Sequence, residues 1–514
     1  MAWLALSWKV FGQAPLVTRC AMLLLAAFSL LGFFRLARTV ANSTVAILST
    51  LLVGIYPVFF AQSSLAQVDL PSAGFVFWGL GTFFRNRKLA TEGRQPPVPW
   101  SAVAWFSLAA LAKETAILVP LAVIAAQVIS AASTQFRARY HSEAAAHSGA
   151  RNLQLQAKPK SQENIPPSSS CDSEPALASV ESASSVKERL SLSLALPVIP
   201  LAVWYAYHYS RTGHVFGNPE FFRYNVQSTL HPLRIFLALI LRIWQLTGYL
   251  GLYLLTASCL IAMAFPPIHD HNGERPRIDL SIQYSFLAIT LVYLIGLSVI
   301  GGAVLARYML PVVPLVILIS VSTIWRRLRL CNIIIAIIAL AFISSLFINP
   351  PYGFAPEDNL AYRDYIRLHQ RAEAFLEQRY PSARVLTAWP ASDEITHPYL
   401  GYVSKPMRVV RIENFSVQQM LAADNASSSY DVALVFSTKY QSHYHRWRFW
   451  QKWDTRYFDF HVDLSPEAAA SVLGGRLVYV ERRRGQWVGL ISIERVEEAR
   501  FASGLAPNNA ASGR

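Results

Sequence analysis

Apolar runs recur along the first 349 residues and stop soon after. They fall at 17–34, 43–60, 71–84, 98–112, 116–133, 190–207, 249–265, 282–300, 309–324 and 333–347. Several approach the ~20 residues that cross a bilayer as a helix. The run at 98–112 is short, which predicts local thinning of the bilayer or burial in protein. The pattern predicts a polytopic α-helical membrane protein of about ten membrane helices. Residues 234–244 read as an amphipathic helix beside the seventh run. Residues 134–187 are rich in Ser, Ala, Gln and Lys without periodicity, which predicts a disordered cytoplasmic loop.

From about residue 350 the pattern changes. A helix is expected over 357–379, buried strands over 384–389 and 431–436, and a weaker strand over 409–412. Helices are expected over 417–423 and 466–473. A hairpin is expected where 477–481 and 487–493 flank Arg482-Arg483-Arg484-Gly485-Gln486. The expected division is therefore a membrane part, 1–349, and an exported α/β domain, 350–514.

Composition fits this reading: 53% of residues are hydrophobic and 15% charged, against about 25% charged in soluble domains. The net charge of +15 does not point to nucleic acid. Residues 350–514 carry 20 Lys/Arg against 18 Asp/Glu, whereas 1–349 carry 26 against 13. An alternating threading puts 18 of the 26 cations on one side, which is therefore cytoplasmic. Both chain ends, Asp69 and residues 350–514 then lie outside. The four scattered cysteines form no CxxC and have no His partner at metal spacing, and they predict no disulfide framework. Residues 1–11 read as an interfacial helix.

Charges inside apolar runs are costly and mark sites. Asp69 sits in a polar turn, Gln67-Val68-Asp69-Leu70-Pro71, and Lys113-Glu114 lies between two apolar runs. In the first 349 residues, only Asp69, Glu114 and Glu220 are acids not assigned to the cytoplasmic side. Lys9, Arg19, Lys113, Arg211, Arg223, Arg234, Arg242 and Arg307 stand against them. A hollow with one carboxylate and several cations suits a phosphate-bearing substrate. The carboxylate would serve as general base or metal ligand, and the cations would hold a phosphate leaving group. Blander roles compete. Asp69 is also placed to cap the next helix. Lys113 and Glu114 are also placed to neutralise each other, and Arg19 and Arg242 to snorkel to the interface. Trp3, Trp8, Trp244 and Tyr249 suit an interfacial belt.

Three stretches together resemble the GT-C glycosyltransferases, the dolichyl-phosphate-mannose–protein mannosyltransferase and aminoarabinose transferase type. They are Tyr56-Pro57-Val58-Phe59-Phe60-Ala61-Gln62, then Gln67-Val68-Asp69-Leu70-Pro71, then Leu108-Ala109-Ala110-Leu111-Ala112-Lys113-Glu114-Thr115. Phe11-Gly12 with Pro15 and Arg19, and Ala306-Arg307-Tyr308-Met309-Leu310-Pro311, match further segments of that type. The resemblance implies a polyprenyl-phosphate-linked sugar as donor. It implies a glycan, lipid or protein acceptor on the outer face of the bacterial cytoplasmic membrane. Asp69 would be the catalytic acid near the acceptor, and the ligand of a divalent metal ion if one is used. Lys113, Arg307, Arg19, Tyr308 and Glu114 would contact substrate or carrier phosphate. The family's principal acid precedes the segment that Met1 opens, so a late recorded start, a truncation or lost chemistry is expected. The competing classes are a transporter or flippase of an anionic lipid-linked sugar, which the absence of internal repeats disfavours, and a non-catalytic homologue.

Overall fold

The computed structural model describes residues 2–92, 100–130, 193–215, 229–271, 273–300, 303–440, 448–458 and 460–493. The 134–187 loop, Glu220 and Arg223 lie outside the described residues. Among the described residues of the first 350, the regular structure is helical apart from a small hairpin, β1 (His269–Asp270) with β2 (Gly273–Glu274). Among the described residues, three segments are long and apolar enough to cross a membrane: Pro15–Val40, Pro232–Met263 and Leu280–Val299. Shorter apolar helices are Ser43–Ile55, Trp100–Ala112, Glu114–Ser130 and Cys331–Phe347.

Several predicted runs have different ends. The run expected over 43–60 is cut. Asn42 caps its helix by accepting from the Val45 N–H at 2.8 Å, but the helix stops at Ile55 and a short one, Pro57–Gln62, follows. Proline has no N–H and excludes helical backbone from the residue before it, and Tyr56 accordingly has ψ 126°. The run expected over 71–84 instead forms a helix over Asp69–Thr91. The stretch 234–244 belongs to a longer helix, Pro232–Thr247, which leads through Tyr249–Gly251 into Leu252–Met263.

Helices Pro15–Val40 and Asp69–Thr91 approach closely because small residues face each other. A Cβ on Gly74 would lie 2.1 Å from Ser29 Oγ and 3.1 Å from its Cα. Trp78 Nε1 donates to the Phe28 carbonyl at 3.0 Å, and the rings of Phe28, Phe75, Trp78 and Trp105 pack together beside this seam. Gly74→Ala is expected to destabilise the chain by about 1–3 kcal/mol, the usual cost of overpacking. A detergent thermal-unfolding series reads this. Ser29→Gly should recover part of the loss, and an unchanged midpoint in Gly74→Ala contradicts the packing.

The C-terminal part is built on a five-stranded mixed sheet. Its strands are β3 (Arg384–Ala388), β4 (Arg408–Ile412), β5 (Val432–Phe436), β6 (Arg476–Arg483) and β7 (Gln486–Ser492), in the order β4-β3-β5-β7-β6. The pairings β3–β4 and β3–β5 are parallel, and the other two are antiparallel. All five residues of β5 are buried, as a central strand covered on both faces requires. Helix Ala361–Arg379 packs on β6 and β7. The hairpin turns through Arg484 (φ 47°) and Gly485 (φ 83°), the pair of positive angles that a two-residue hairpin loop requires.

Among the described residues, two large hydrophobic cores result, beside a small cluster of Leu4, Ala21 and Met22. The first joins the apolar helices and takes in Phe354 and Ala361. The second begins at Tyr365 and fills the sheet domain.

Candidate functional site

Asp69 opens the helix Asp69–Thr91 and is only 6% exposed. It does not cap that helix: the N-cap is Val68, without a side-chain cap bond. Its carboxylate meets two cations instead. Lys113 Nζ donates to Oδ1, and Arg307 Nε lies 3.3 Å from Oδ2 without aligned hydrogen-bond geometry.

Each cation is aimed by a break in its helix. Helix Trp100–Ala112 ends where Lys113 becomes extended (φ −151°, ψ 120°), and a 3₁₀ turn, Glu114–Ile117, follows. Ser72 Oγ donates to the Ala109 carbonyl at 3.1 Å and ties the two helices beside the site. Arg307 sits in a 3₁₀ turn, Ala306–Met309. The strand of backbone before that turn is held from helix Pro232–Thr247. Arg242 donates to the Leu305 carbonyl at 2.7 Å, and Gln245 Nε2 donates to the Val304 carbonyl at 2.9 Å. The Tyr308 ring lies beneath these charges. Lys113 Nζ is 3.5 Å from its centroid, and the guanidinium carbons of Arg242 and Arg307 are each 5.7 Å away. Such contacts favour a cation over an aromatic face.

Asp69, Lys113, Arg307 and Tyr308 therefore come together. Two predicted residues do not join them. Glu114 is exposed and forms no ion pair with Lys113, whose partner is Asp69, so the self-neutralising pair is not what the structure contains. Arg19 is exposed on the first long helix and takes no described part in the cluster. Arg242 does not snorkel. It is fully buried, and its two terminal guanidinium nitrogens donate to Gln245 and to the Leu305 and Ala303 carbonyls inside the helix bundle.

The sequence reading also missed two acids. Glu357 Oε2 pairs with Arg307 and accepts from Gln67 Nε2 at 3.2 Å, while Gln62 Nε2 donates to the Glu357 carbonyl at 3.1 Å. Asp358 is buried and accepts from the Tyr249 hydroxyl at 2.6 Å. The cluster is thus less cationic than a count within residues 1–349 predicts. The available signal was Pro356-Glu357-Asp358, two adjacent acids directly after the last apolar run.

Both Asp69 oxygens face cations, and among the described residues no set of three metal-ligating groups converges there. This donor set does not fit a divalent metal at Asp69, and no step is derived through one.

Burial pushes the Asp358 carboxyl up to about 6, against the opposing effects of the Tyr249 hydrogen bond and Arg307. A raised carboxylate contributes stability at low pH that is lost as pH rises through the folded value. The shift from 3.8 to about 6 corresponds to roughly 3 kcal/mol. Asp358→Asn, which keeps an acceptor for Tyr249, should therefore gain in midpoint relative to the parent as pH rises from about 4 to 6.5. The gain should level off above that. A difference independent of pH contradicts the assignment.

Residues 1–146 match the family model described as dolichyl-phosphate-mannose-protein mannosyltransferase. That match supports the GT-C superfamily resemblance carried by the sequence motifs. Among solved structures, the chain is similar to ArnT from Cupriavidus metallidurans bound to undecaprenyl phosphate, at 13% identity and a TM-score of 0.47. The similarity covers 95% of this chain and 86% of that one. No curated protein matches.

Proposed function

We propose that the chain is a membrane glycosyltransferase that moves a sugar from a polyprenyl-phosphate donor to a lipid, glycan or protein acceptor. In this reading the reaction takes place on the outer face of the cytoplasmic membrane, with about ten helices in the bilayer and the sheet domain outside. The observation that carries it is the meeting of Asp69 with Lys113 and Arg307, where both cations remain 15% exposed. The GT-C match over residues 1–146 covers Asp69 and Lys113 and supports the same chemistry.

The donor phosphate competes with Asp69 and Glu357 for Lys113 and Arg307. Its binding frees the Asp69 carboxylate. An acceptor hydroxyl then attacks the anomeric carbon, its proton passes to Asp69, and the bond from that carbon to the phosphate oxygen breaks. The leaving phosphate gains charge as it departs, and the two cations stabilise it. Transfer of radiolabelled sugar from a polyprenyl-phosphate donor in membranes containing the chain tests the reading. Membranes that transport the donor but transfer no sugar contradict it.

A further inference from the structure

Away from Asp69, the sheet domain buries a second cluster of ionisable groups. His369 and Glu373 lie four residues apart on helix Ala361–Arg379, the spacing that puts two side chains on one helix face. Glu394 approaches from the short helix Ala391–Glu394. Their exposures are 1%, 0% and 5%. One nitrogen or oxygen of each lies within 4.8 Å of the others.

The three groups of this cluster are not equally partnered. His369 Nδ1 lies 2.6 Å from Glu394 Oε2, so a single imidazole proton there is used by Glu394. Glu373 Oε1 is 3.5 Å from the same nitrogen, and neither Glu373 oxygen has a hydrogen-bond partner. His369 Nε2 has none either, and its ring packs against Tyr365 and Phe436. A fully buried carboxyl group without an aligned hydrogen bond is costly, and here it sits beside a second one. With both carboxyls ionised, a single divalent cation would balance the two charges around one imidazole nitrogen.

We propose that His369 Nδ1, Glu373 and Glu394 bind one divalent cation of the zinc class, which fastens helix Ala361–Arg379 to the Ala391–Glu394 turn. One imidazole nitrogen with two carboxylates suits zinc or its neighbours better than the all-oxygen preference of magnesium or calcium. Tetrahedral bonds of about 2.1 Å separate ligand atoms by about 3.4 Å. The observed separations of 2.6 and 3.5 Å lie near that value, so small rotations suffice. Tyr402 hydrogen-bonds to Glu394, the kind of outer contact that orients a metal-binding carboxylate. The inference does not depend on the glycosyltransferase reading.

The test uses the full chain purified in detergent, treated with EDTA, supplied with zinc chloride and desalted. The expected result is about one zinc retained per chain and a rise of about 5 °C or more in the unfolding midpoint. Glu373→Gln and Glu394→Gln, which preserve shape, should each lower retention by about tenfold or more and abolish the rise. Zinc retained equally by parent and variants overturns the proposal, as does a parent that retains none. X-ray absorption of the loaded parent gives a check that needs no variant. A shell of one nitrogen with oxygens supports the assignment, and sulfur or several imidazoles contradict it.

Discussion

Asp69→Asn should lower sugar transfer from a polyprenyl-phosphate donor by about 100-fold or more, the range a positioned general base contributes. The substitution keeps the size of the side chain and an oxygen for Lys113, so elution in detergent should not change. The loss should fall on kcat rather than on the donor KM, because a base acts on the acceptor proton and not on donor binding. Turnover within about threefold of the parent would remove Asp69 from the chemistry.

Arg307→Gln should act differently. Arg307 lies beside Asp69 and pairs with Glu357, and in the proposed reaction it holds the carrier phosphate. Loss of a charge-assisted contact of this kind costs about 1.5–3 kcal/mol, or roughly 10- to 150-fold in kcat/KM for the donor. Arg307→Lys should recover only part of this, because an ammonium lacks the fork that spans two acids. The measurement is a donor titration at saturating acceptor. An unaltered donor dependence in Arg307→Gln would separate this residue from the phosphate.

The part of the site legible in the sequence is the part made of charges inside apolar runs. Asp69, Lys113 and Arg307 stand out because such positions are expensive to fill. Their meeting was not legible, since it depends on the helix break at Lys113 and on the 3₁₀ turn at Arg307. Glu357 and Asp358 escaped notice because acids are ordinary in the polar segment that holds them. Only their return to the helices distinguishes them. Arg242 misled for the opposite reason: long side chains near a helix end often reach water, and the carbonyls that hold this one come from a distant stretch of chain.

Local chemistry also sorted the fold. The Arg484-Gly485 turn and the all-apolar β5 are set by nearby residues and were expected. The cut before Pro57 was equally local, yet it was hidden because hydrophobicity continues unbroken across it.

The seating of Phe354 and Ala361 in the first core has an engineering consequence. A chimera that exchanges the sheet domain should be spliced after Ala361, not at the end of the last apolar helix. A graft joined at residue 348 would carry off Glu357 and leave Arg307 with Asp69 as its remaining carboxylate partner. Residues 348–361 belong by contact to the helices, even though their composition matches that of the sheet domain.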